Sequence, residues 1–196
     1  MSEPKDPVDP KAPDAKKRRM VQNRDRVGLA IVNTGNGKGK STSAFGVAIR
    51  AAGHGMKVHI VQFIKGSRDY GELVALERFP EITVERAGEG FTWEVRSDER
   101  QKELATWGMK QAMAAVDAGD LDVLILDEVN IALSKGFYAT DDLIRFLDER
   151  PPELHVICTG RYAPDALIER ADLVTEMALI KHPFEKGIRA QPGVEF

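Results

Sequence analysis

The sequence predicts a doubly wound α/β domain with a mostly parallel sheet and helices on both of its faces. Short runs rich in Val, Ile and Leu alternate along the chain with longer helix-like segments, an order typical of a parallel sheet. The apolar runs are nearly continuous instead of alternating with polar residues, which indicates strands covered on both faces. The four runs are GLAIVN (28–33), KVHIVQF (57–63), LDVLILDE (121–128) and ELHVICTG (153–160).

Helices are predicted between these runs. One is expected from Ser43 to Ala52, between the first and second runs. Ser97 and Thr140 are each expected to cap a helix, because each precedes two acidic residues that suit the positive end of a helix dipole. Pro164 is predicted to open a further helix, since the first helical position does not need the N–H that proline lacks.

Length and composition predict one globular domain. The chain has 196 residues, of which 42% are hydrophobic and 30% charged, enough for one sizeable core. No run approaches the roughly 18 to 20 apolar residues of a membrane span, and the N-terminus lacks an apolar signal-peptide core. The only cysteine, Cys158, lies in the apolar run HVIC and is predicted to be buried. These features predict a cytoplasmic protein with no membrane partner.

Residues 1–27 are predicted to form a basic, flexible tail ahead of a single domain over residues 28–196. The tail has four prolines among charged residues and too few apolar side chains to form a core. Residues 1–26 hold eight Lys/Arg against five Asp/Glu, in a chain whose net charge is -3. The remaining body is therefore acidic, which argues against a nucleic-acid partner. The tail is either a solvated segment, which composition favours, or a flap whose cations approach bound phosphates.

The strongest motif is TGNGKGKS at residues 34–41, which lies between an apolar run and an amphipathic helix. This order is typical of a phosphate-binding loop, or P-loop. Its glycines permit backbone conformations in which successive amides point at anionic oxygens, and the helix end adds positive potential. Thr34 stands where the common pattern has glycine. The flanking strand and helix nevertheless favour phosphate binding over an ordinary glycine-rich turn.

A magnesium partner is predicted where the run VLIL ends in Asp127 and Glu128. Ligands of open parallel sheets bind at the carboxyl ends of the strands. Lys40 would neutralise phosphate charge, whereas Ser41 and Asp127 would hold Mg²⁺ directly or through water. Glu128 would orient a nearby group or water. We expect these acids on a strand that neighbours the P-loop strand. The alternative is a strand end whose acids cap the next helix or remain solvated.

Kinases, ATPases, nucleotide switches and other transferases share these two motifs. The rest of the chain, from about Gly28 to the C-terminus, resembles the P-loop type of ATP:corrinoid adenosyltransferase. Seven segments carry the resemblance: TGNGKGKS at 34–41, AAGHG after the first helix, VQFIKG at 61–66, GFTWE at 90–94, LDE at 126–128, TGR at 159–161, and the C-terminal KHPFEKGIRAQPGVEF. The alternatives are a nucleotide kinase or ATPase, and a nonenzymatic ATP-dependent binding module.

The resemblance implies that cobalt(I) of a reduced corrinoid attacks the 5' carbon of ATP, with triphosphate as the leaving group, in cobalamin biosynthesis or salvage. Cobalt(I) is itself a strong nucleophile, so the protein requires neither a base nor a nucleophile of its own. Catalysis would then consist of positioning and electrostatic stabilisation. The resemblance also implies a homodimer. An external reductant, with a flavoprotein as the candidate, is implied because the sequence has no redox cofactor motif.

The resemblance assigns roles to individual residues. Phe91 and Trp93 would lie against the lower face of the corrinoid, displace its axial ligand and make cobalt(II) easier to reduce. Without the resemblance, two aromatics in this spacing would indicate one face of a buried strand. Asn36 would meet the ribose, and Arg161 is either a phosphate or ribose ligand or a surface charge. The predicted catalytic residues are Lys40, Phe91, Trp93 and Glu128. The predicted ATP-binding residues are Gly35, Asn36, Gly37, Lys38, Gly39, Lys40, Ser41, Thr42 and Arg161, and the predicted Mg²⁺ ligands are Ser41 and Asp127.

Overall fold

The computed structural model of the chain describes residues 27–64, 71–87 and 97–195. Six strands in these ranges form one sheet: β1 (Ala30–Thr34), β2 (Val58–Gln62), β3 (Ile82–Arg86), β4 (Val123–Asp127), β5 (His155–Thr159) and β6 (Leu173–Glu176). Their order across the sheet is β3-β2-β4-β5-β1-β6, and every neighbouring pair is parallel. The carboxyl ends of all six strands therefore meet at one edge.

Helices cover both faces of this sheet, as the sequence predicts. They are α1 (Lys40–Ala52), α2 (Gly71–Leu76), α3 (Asp98–Asp117), α4 (Val129–Ser134), α5 (Thr140–Glu149) and α6 (Asp165–Arg170), followed by a 3₁₀ turn at Pro183–Lys186. One apolar cluster joins α1 and α2 to the sheet, and a second joins α3, α4, α5 and α6 to its other face. The predicted doubly wound α/β class is therefore confirmed.

Central strand β4 shows why its sequence is an uninterrupted apolar run. Leu124 and Leu126 pack into the cluster beneath α3, whereas Val123 and Ile125 pack into the cluster beneath α1. All four side chains are buried. Since burying one such side chain contributes about 1.5 to 3 kcal/mol, both faces of the strand stabilise the fold. The same arrangement places the polar end of the strand, Asp127, at the carboxyl edge.

The four predicted strands are confirmed as β1, β2, β4 and β5, whereas β3 and β6 were not predicted. These two strands occupy the edges of the sheet within the described part of the chain. Only Ile82 is buried in β3, and all four residues of β6 are exposed. An edge strand therefore lacks the continuous apolar run that identifies a central one.

The predicted cap of α3 agrees with the structure, whereas the other three helix starts differ from the prediction by one to three residues. Helix α1 begins at Lys40, three residues before the predicted Ser43, because the helix starts directly after the positive φ of Gly39. Ser97 caps α3, and its side chain accepts a hydrogen bond from the backbone N–H of Arg100.

Helix α6 is present as predicted, but Pro164 has extended backbone at the N-cap and Asp165 is the first helical residue. The prediction that Thr140 caps α5 is wrong, because Ala139 has the extended backbone of the cap position and Thr140 is the first helical residue. Ala139 provides no side-chain hydrogen bond, so sequence alone gave no signal for it.

Cys158 is buried in β5, as its apolar surroundings predict. Burial raises the pKa of its thiol to about 12, with Arg150 opposing the shift. The predicted tail over residues 1–27 lies outside the described residues except for Val27, which is exposed. Within the described ranges, no helix combines the length and apolar character needed to span a bilayer.

Candidate functional site

The ends of three strands bring the predicted motifs to one edge of the sheet. Strand β1 ends at Thr34 and continues into the P-loop, β4 ends at Asp127, and β5 ends at Thr159. Strand β5 pairs with both β1 and β4. The expectation that the acidic strand neighbours the P-loop strand is therefore wrong, because β5 lies between the two. The width of one strand separates the loop from Asp127.

The loop backbone leads directly into helix α1. Gly35 and Gly39 have φ values of 90° and 108°, a backbone conformation that residues other than glycine rarely adopt. Gly39 is the N-cap of α1, and no side chain of the described residues caps this helix start by a hydrogen bond. The first amides of a helix have no intrahelical acceptor, so the start of α1 is well suited to an anion.

The outer side of the loop packs tightly against the segment that follows β6. A Cβ atom on Gly35 would lie 2.6 Å from the carbonyl oxygen of Met177, and one on Gly37 would lie 2.6 Å from that of Ala178. The backbone N–H of Gly37 donates to the Met177 carbonyl over 2.6 Å. Gly37 thus fixes the loop to its backing segment, and its amide is engaged there.

Thr34 shows why the loop does not need the first glycine of the common pattern. It is the last residue of β1 and is buried, and its hydroxyl accepts a hydrogen bond from the backbone N–H of Ala163 over 3.3 Å. A strand conformation is open to any residue, so position 34 does not require glycine. Thr34 also ties the loop to the chain that follows β5.

The Lys40 ammonium lies among charged groups inside the loop. Its side chain is buried, and Nζ donates to the carbonyl oxygen of Gly37 over 2.5 Å. Burial lowers the pKa of Lys40, Glu128 opposes this shift, and Arg161 and Lys38 add to it. Three predicted site residues are thus close enough to influence the loop lysine. A bound polyanion would compensate the burial and the like charges.

Asp127 is held by hydrogen bonds to both carboxylate oxygens. Its Oδ1 accepts from the Thr159 hydroxyl over 2.7 Å, and its Oδ2 accepts from the Gln62 amide over 3.0 Å. The carboxylate is fully buried, so these two hydrogen bonds fix its orientation at the end of β4.

The donors at this edge fit Mg²⁺. The Ser41 hydroxyl and the Asp127 carboxylate are the hard oxygen ligands that Mg²⁺ prefers. In residues 27–64, 71–87 and 97–195, no group of three or more His, Cys, Asp or Glu side chains could hold a metal by itself. This donor set suits an ion that takes its remaining ligands from water and substrate phosphates.

Glu128 has an uncommon backbone conformation for a residue other than glycine. Its φ is 64°, and its backbone N–H donates to the Thr159 hydroxyl oxygen over 2.9 Å. Its Oε2 lies 3.2 Å from the position that a Cβ on Gly160 would take. The turn therefore places the carboxylate over the end of β5, from where its charge reaches Lys40. Strained backbone of this kind clusters at functional sites.

Sequence reasoning gave no role to three polar residues that organise this edge: Gln62, Asn130 and Thr159. Gln62 and Thr159 hold Asp127, as described above. Asn130 is fully buried, and its amide donates to the backbone carbonyl oxygens of Asn33 over 3.3 Å and Gly160 over 3.0 Å. It thereby joins α4 to the ends of β1 and β5. For Gln62 and Thr159, the available signal was a polar residue near the end of an apolar run, whereas Asn130 in α4 carried no such signal.

The other predicted site residues differ in where they lie. Asn36, Lys38, Thr42 and Arg161 are exposed at the carboxyl edge, and Ser41 is half-buried at the start of α1. Phe91 and Trp93 lie outside the described residues. The structure therefore brings together the loop, the acidic pair and Arg161, whereas the predicted corrinoid contacts stay a prediction.

Comparison with known proteins identifies the family that shares this arrangement. Residues 26–196 match the family described as ATP:corrinoid adenosyltransferase BtuR/CobO/CobP. The chain is 48% identical over 179 residues to a corrinoid adenosyltransferase of Pseudomonas aeruginosa, covering 91% of this chain and 88% of the relative. It is 45% identical to one from Sinorhizobium sp, covering 93% and 86%, and 38% identical to one from Escherichia coli K12, covering 91% and 90%. The protein therefore belongs to the ATP:corrinoid adenosyltransferase family and is an enzyme of that class.

Proposed function

We propose that the enzyme transfers the 5'-deoxyadenosyl group of ATP to the cobalt(I) of a reduced corrinoid, in cobalamin biosynthesis or salvage. The electron pair of cobalt forms the cobalt–carbon bond, and the bond between C5' and its oxygen breaks with its pair going to triphosphate. One observation carries the proposal: in a member of this family, the Lys40 ammonium lies inside a glycine-rich loop and within electrostatic reach of Glu128 and Arg161.

The leaving triphosphate gains negative charge as the bond breaks, and the loop is suited to stabilise it. Lys40 and the first amides of α1 are oriented before the substrate arrives, so little reorganisation is needed during the reaction. One oriented donor of this kind contributes about 3 kcal/mol, and alignment of two reactants about 7 to 11 kcal/mol. A bound polyphosphate also keeps Lys40 protonated, because it opposes the effect of burial.

We propose that Ser41 and Asp127 would hold Mg²⁺ in the ATP site. When bound, it would neutralise phosphate charge. Thr159 and Gln62 orient the Asp127 carboxylate for this purpose through the two hydrogen bonds that they donate. Glu128 is proposed to orient a water or a substrate group beside Lys40.

The remaining substrate contacts follow from the family pattern. We propose that Gly35, Asn36, Gly37, Lys38, Gly39 and Thr42 complete the ATP site with the residues named above. Within that set, Asn36 would meet the ribose, and Arg161 would meet phosphate or ribose. Phe91 and Trp93 would contact the lower face of the corrinoid. Residues 28–196 would form the catalytic domain, preceded by the basic tail over residues 1–27, which is either a solvated segment or a flap over the phosphates.

We further propose a cytoplasmic homodimer that receives electrons from an external reductant, such as a flavoprotein. The dimer is supported by β6, an edge strand whose residues are all exposed. Leu173 and Val174 in this strand are 48% and 37% exposed. Natural proteins rarely leave an apolar strand edge uncovered, and a second copy of the chain would cover it. Light scattering of the purified protein would measure the mass directly.

Product analysis tests the reaction. The enzyme is incubated with ATP, Mg²⁺ and a chemically reduced corrinoid, and the products are separated. The expected result is triphosphate in equal amount to a light-sensitive adenosylated corrinoid, with both products formed at least about 100-fold more slowly by Lys40→Ala. Formation of ADP alone would favour a kinase or ATPase, and absence of any product would favour a nonenzymatic binding module.

A further inference from the structure

An ion pair between Lys38 and Glu195 joins the P-loop to the C-terminal part of the described chain. Nζ of Lys38 donates a short hydrogen bond to Oε2 of Glu195, a residue 157 positions later in the chain. The Lys38 side chain is 51% exposed, whereas the Glu195 side chain is only 12% exposed. A largely buried carboxylate from the chain end thus neutralises the exposed lysine of the loop.

The Lys38 ammonium interacts electrostatically with Lys40, the second lysine of the loop. Its positive charge is one of the causes that lower the pKa of Lys40, so the two ammonium groups lie within electrostatic reach of each other. When Glu195 neutralises Lys38, it lowers the positive potential available to an anion in the loop. The pair is therefore placed to influence phosphate binding.

The segment that carries Glu195 is lightly anchored. Backbone N–H groups of Val194 and Glu195 donate to the carbonyl oxygen of Gln191, which forms a short turn. Residues 187–194 are all exposed, and Val194 is 82% exposed. A terminal segment with little buried surface can separate from the loop with a small loss of free energy. Its carboxylate is thus an anion that a stronger one can displace.

We propose that Glu195 competes with the triphosphate group for Lys38 and thereby promotes release of the triphosphate product. This inference rests on the proposed function, in which the loop binds the phosphates of ATP. When the bond to C5' breaks, triphosphate gains a charged terminal oxygen that ATP lacks. The product would otherwise be held more tightly than the substrate. When the Glu195 carboxylate pairs with Lys38 again, it weakens the binding of triphosphate, because the Lys38 ammonium no longer needs a phosphate partner.

The test measures binding of inorganic tripolyphosphate to the full-length protein by calorimetry. Glu195→Gln removes the competing charge and keeps the shape, so the dissociation constant should fall by about two- to fivefold, as for a partly exposed ion pair. The affinity for tripolyphosphate should rise more than that for ATP, and KM for ATP should fall without a rise in kcat. Glu185→Gln, an exposed acid of the same C-terminal segment, is the matched control and should leave the affinity unchanged.

A double-mutant comparison isolates the pair. In a Lys38→Ala background, Glu195→Gln should no longer tighten binding, because the shared cation is gone. Unchanged or weaker tripolyphosphate binding in Glu195→Gln would overturn the inference and leave the proposed reaction intact. Equal tightening with and without Lys38 would also overturn it. If tripolyphosphate does not bind, or if Lys38→Ala leaves its affinity unchanged, the proposed role of Lys38 in the phosphate site fails together with the inference.

Discussion

The Thr159 hydroxyl donates to Oδ1 of Asp127 over 2.7 Å, and the Thr159 hydroxyl oxygen accepts the backbone N–H of Glu128 over 2.9 Å. One side chain of β5 therefore holds both acidic residues at the end of β4. Strand β5 also pairs with the P-loop strand β1, so Thr159 lies on the strand that separates the loop from its proposed magnesium ligand. The position of Asp127 relative to the loop depends on this contact.

Thr159→Val should impair catalysis by loosening Asp127. Valine keeps the shape but loses the hydroxyl, so the buried carboxylate and the Glu128 amide each lose a partner. We expect about 1 to 3 kcal/mol less unfolding free energy, and a higher Mg²⁺ concentration for half-maximal turnover. Urea denaturation and a Mg²⁺ titration of turnover measure the two effects. Thr83→Val is the control, because its hydroxyl contacts His59 in β2 and should affect stability alone. A wild-type Mg²⁺ response in Thr159→Val would contradict the proposal.

Gly37→Ala should disrupt the loop. The new Cβ would lie 2.6 and 2.7 Å from the carbonyl oxygens of Ala178 and Met177, so the backbone must shift, at about 1 to 3 kcal/mol. We expect a loss of ATP affinity, measured by calorimetry. Gly46→Ala in α1 is the matched control, since a Cβ there meets nothing within 4 Å. It should raise stability by about 0.5 to 1 kcal/mol and leave ATP binding unchanged. Equal ATP affinity in the two variants would argue against this account of the loop.

Lys40→Ala should reduce kcat about 100-fold or more, because an oriented cation is lost from the leaving group. Its effect on the unfolding free energy should be small, since burial already disfavours the Lys40 ammonium in the free enzyme. Lys110→Ala, at an exposed position of α3, should change neither property. Turnover and chemical denaturation are measured on the same preparations. Retained turnover in Lys40→Ala would refute the proposed role of the loop lysine.

The protein should lose stability in mild acid because of His59. Its Nδ1 lies 2.7 Å from the Thr83 hydroxyl, and burial lowers the pKa of the imidazole, with Glu85 opposing the shift. The unfolded chain therefore binds a proton more readily than the folded one, and stability falls as pH drops below the ordinary histidine value. Melting temperatures between about pH 5 and 8 measure this trend. His59→Gln should flatten it, whereas His54→Gln, at an exposed site, should not. An unchanged slope in His59→Gln would exclude His59 as the cause.

Phe91→Ala and Trp93→Ala should impair reactions that begin from cobalt(II) more than those that begin from cobalt(I). If the two aromatic side chains displace the axial ligand of cobalt, they make cobalt(II) easier to reduce. Their removal should therefore matter less when the reaction begins from cobalt(I). Turnover is measured with an enzymatic reductant and with chemically prereduced corrinoid. Trp107→Ala, at a partly exposed position of α3, is the aromatic control and should affect neither assay. Equal losses in both assays would contradict the proposed aromatic role.

The sequence revealed those parts of the fold whose signal is local. Strands β1, β2, β4 and β5 could be predicted because burial on both faces leaves an uninterrupted apolar run, and the P-loop because its glycines are adjacent in sequence. Strand β6 could not, since its exposed residues carry no such pattern. The bridge from Thr159 to Asp127 and the contact of Gly37 with Met177 depend on strand order. Strand order is set by long-range packing, which a single sequence does not display.

The burial of Cys158 makes the chain convenient for labelling chemistry. It is the only cysteine in the sequence, and its thiol is buried and remains protonated at neutral pH. Maleimides and other thiol reagents react with accessible thiolates, so the natural chain offers them no target. A cysteine introduced at the exposed Val194 would take a fluorophore selectively. Such a dye would report directly on when the chain end leaves the loop.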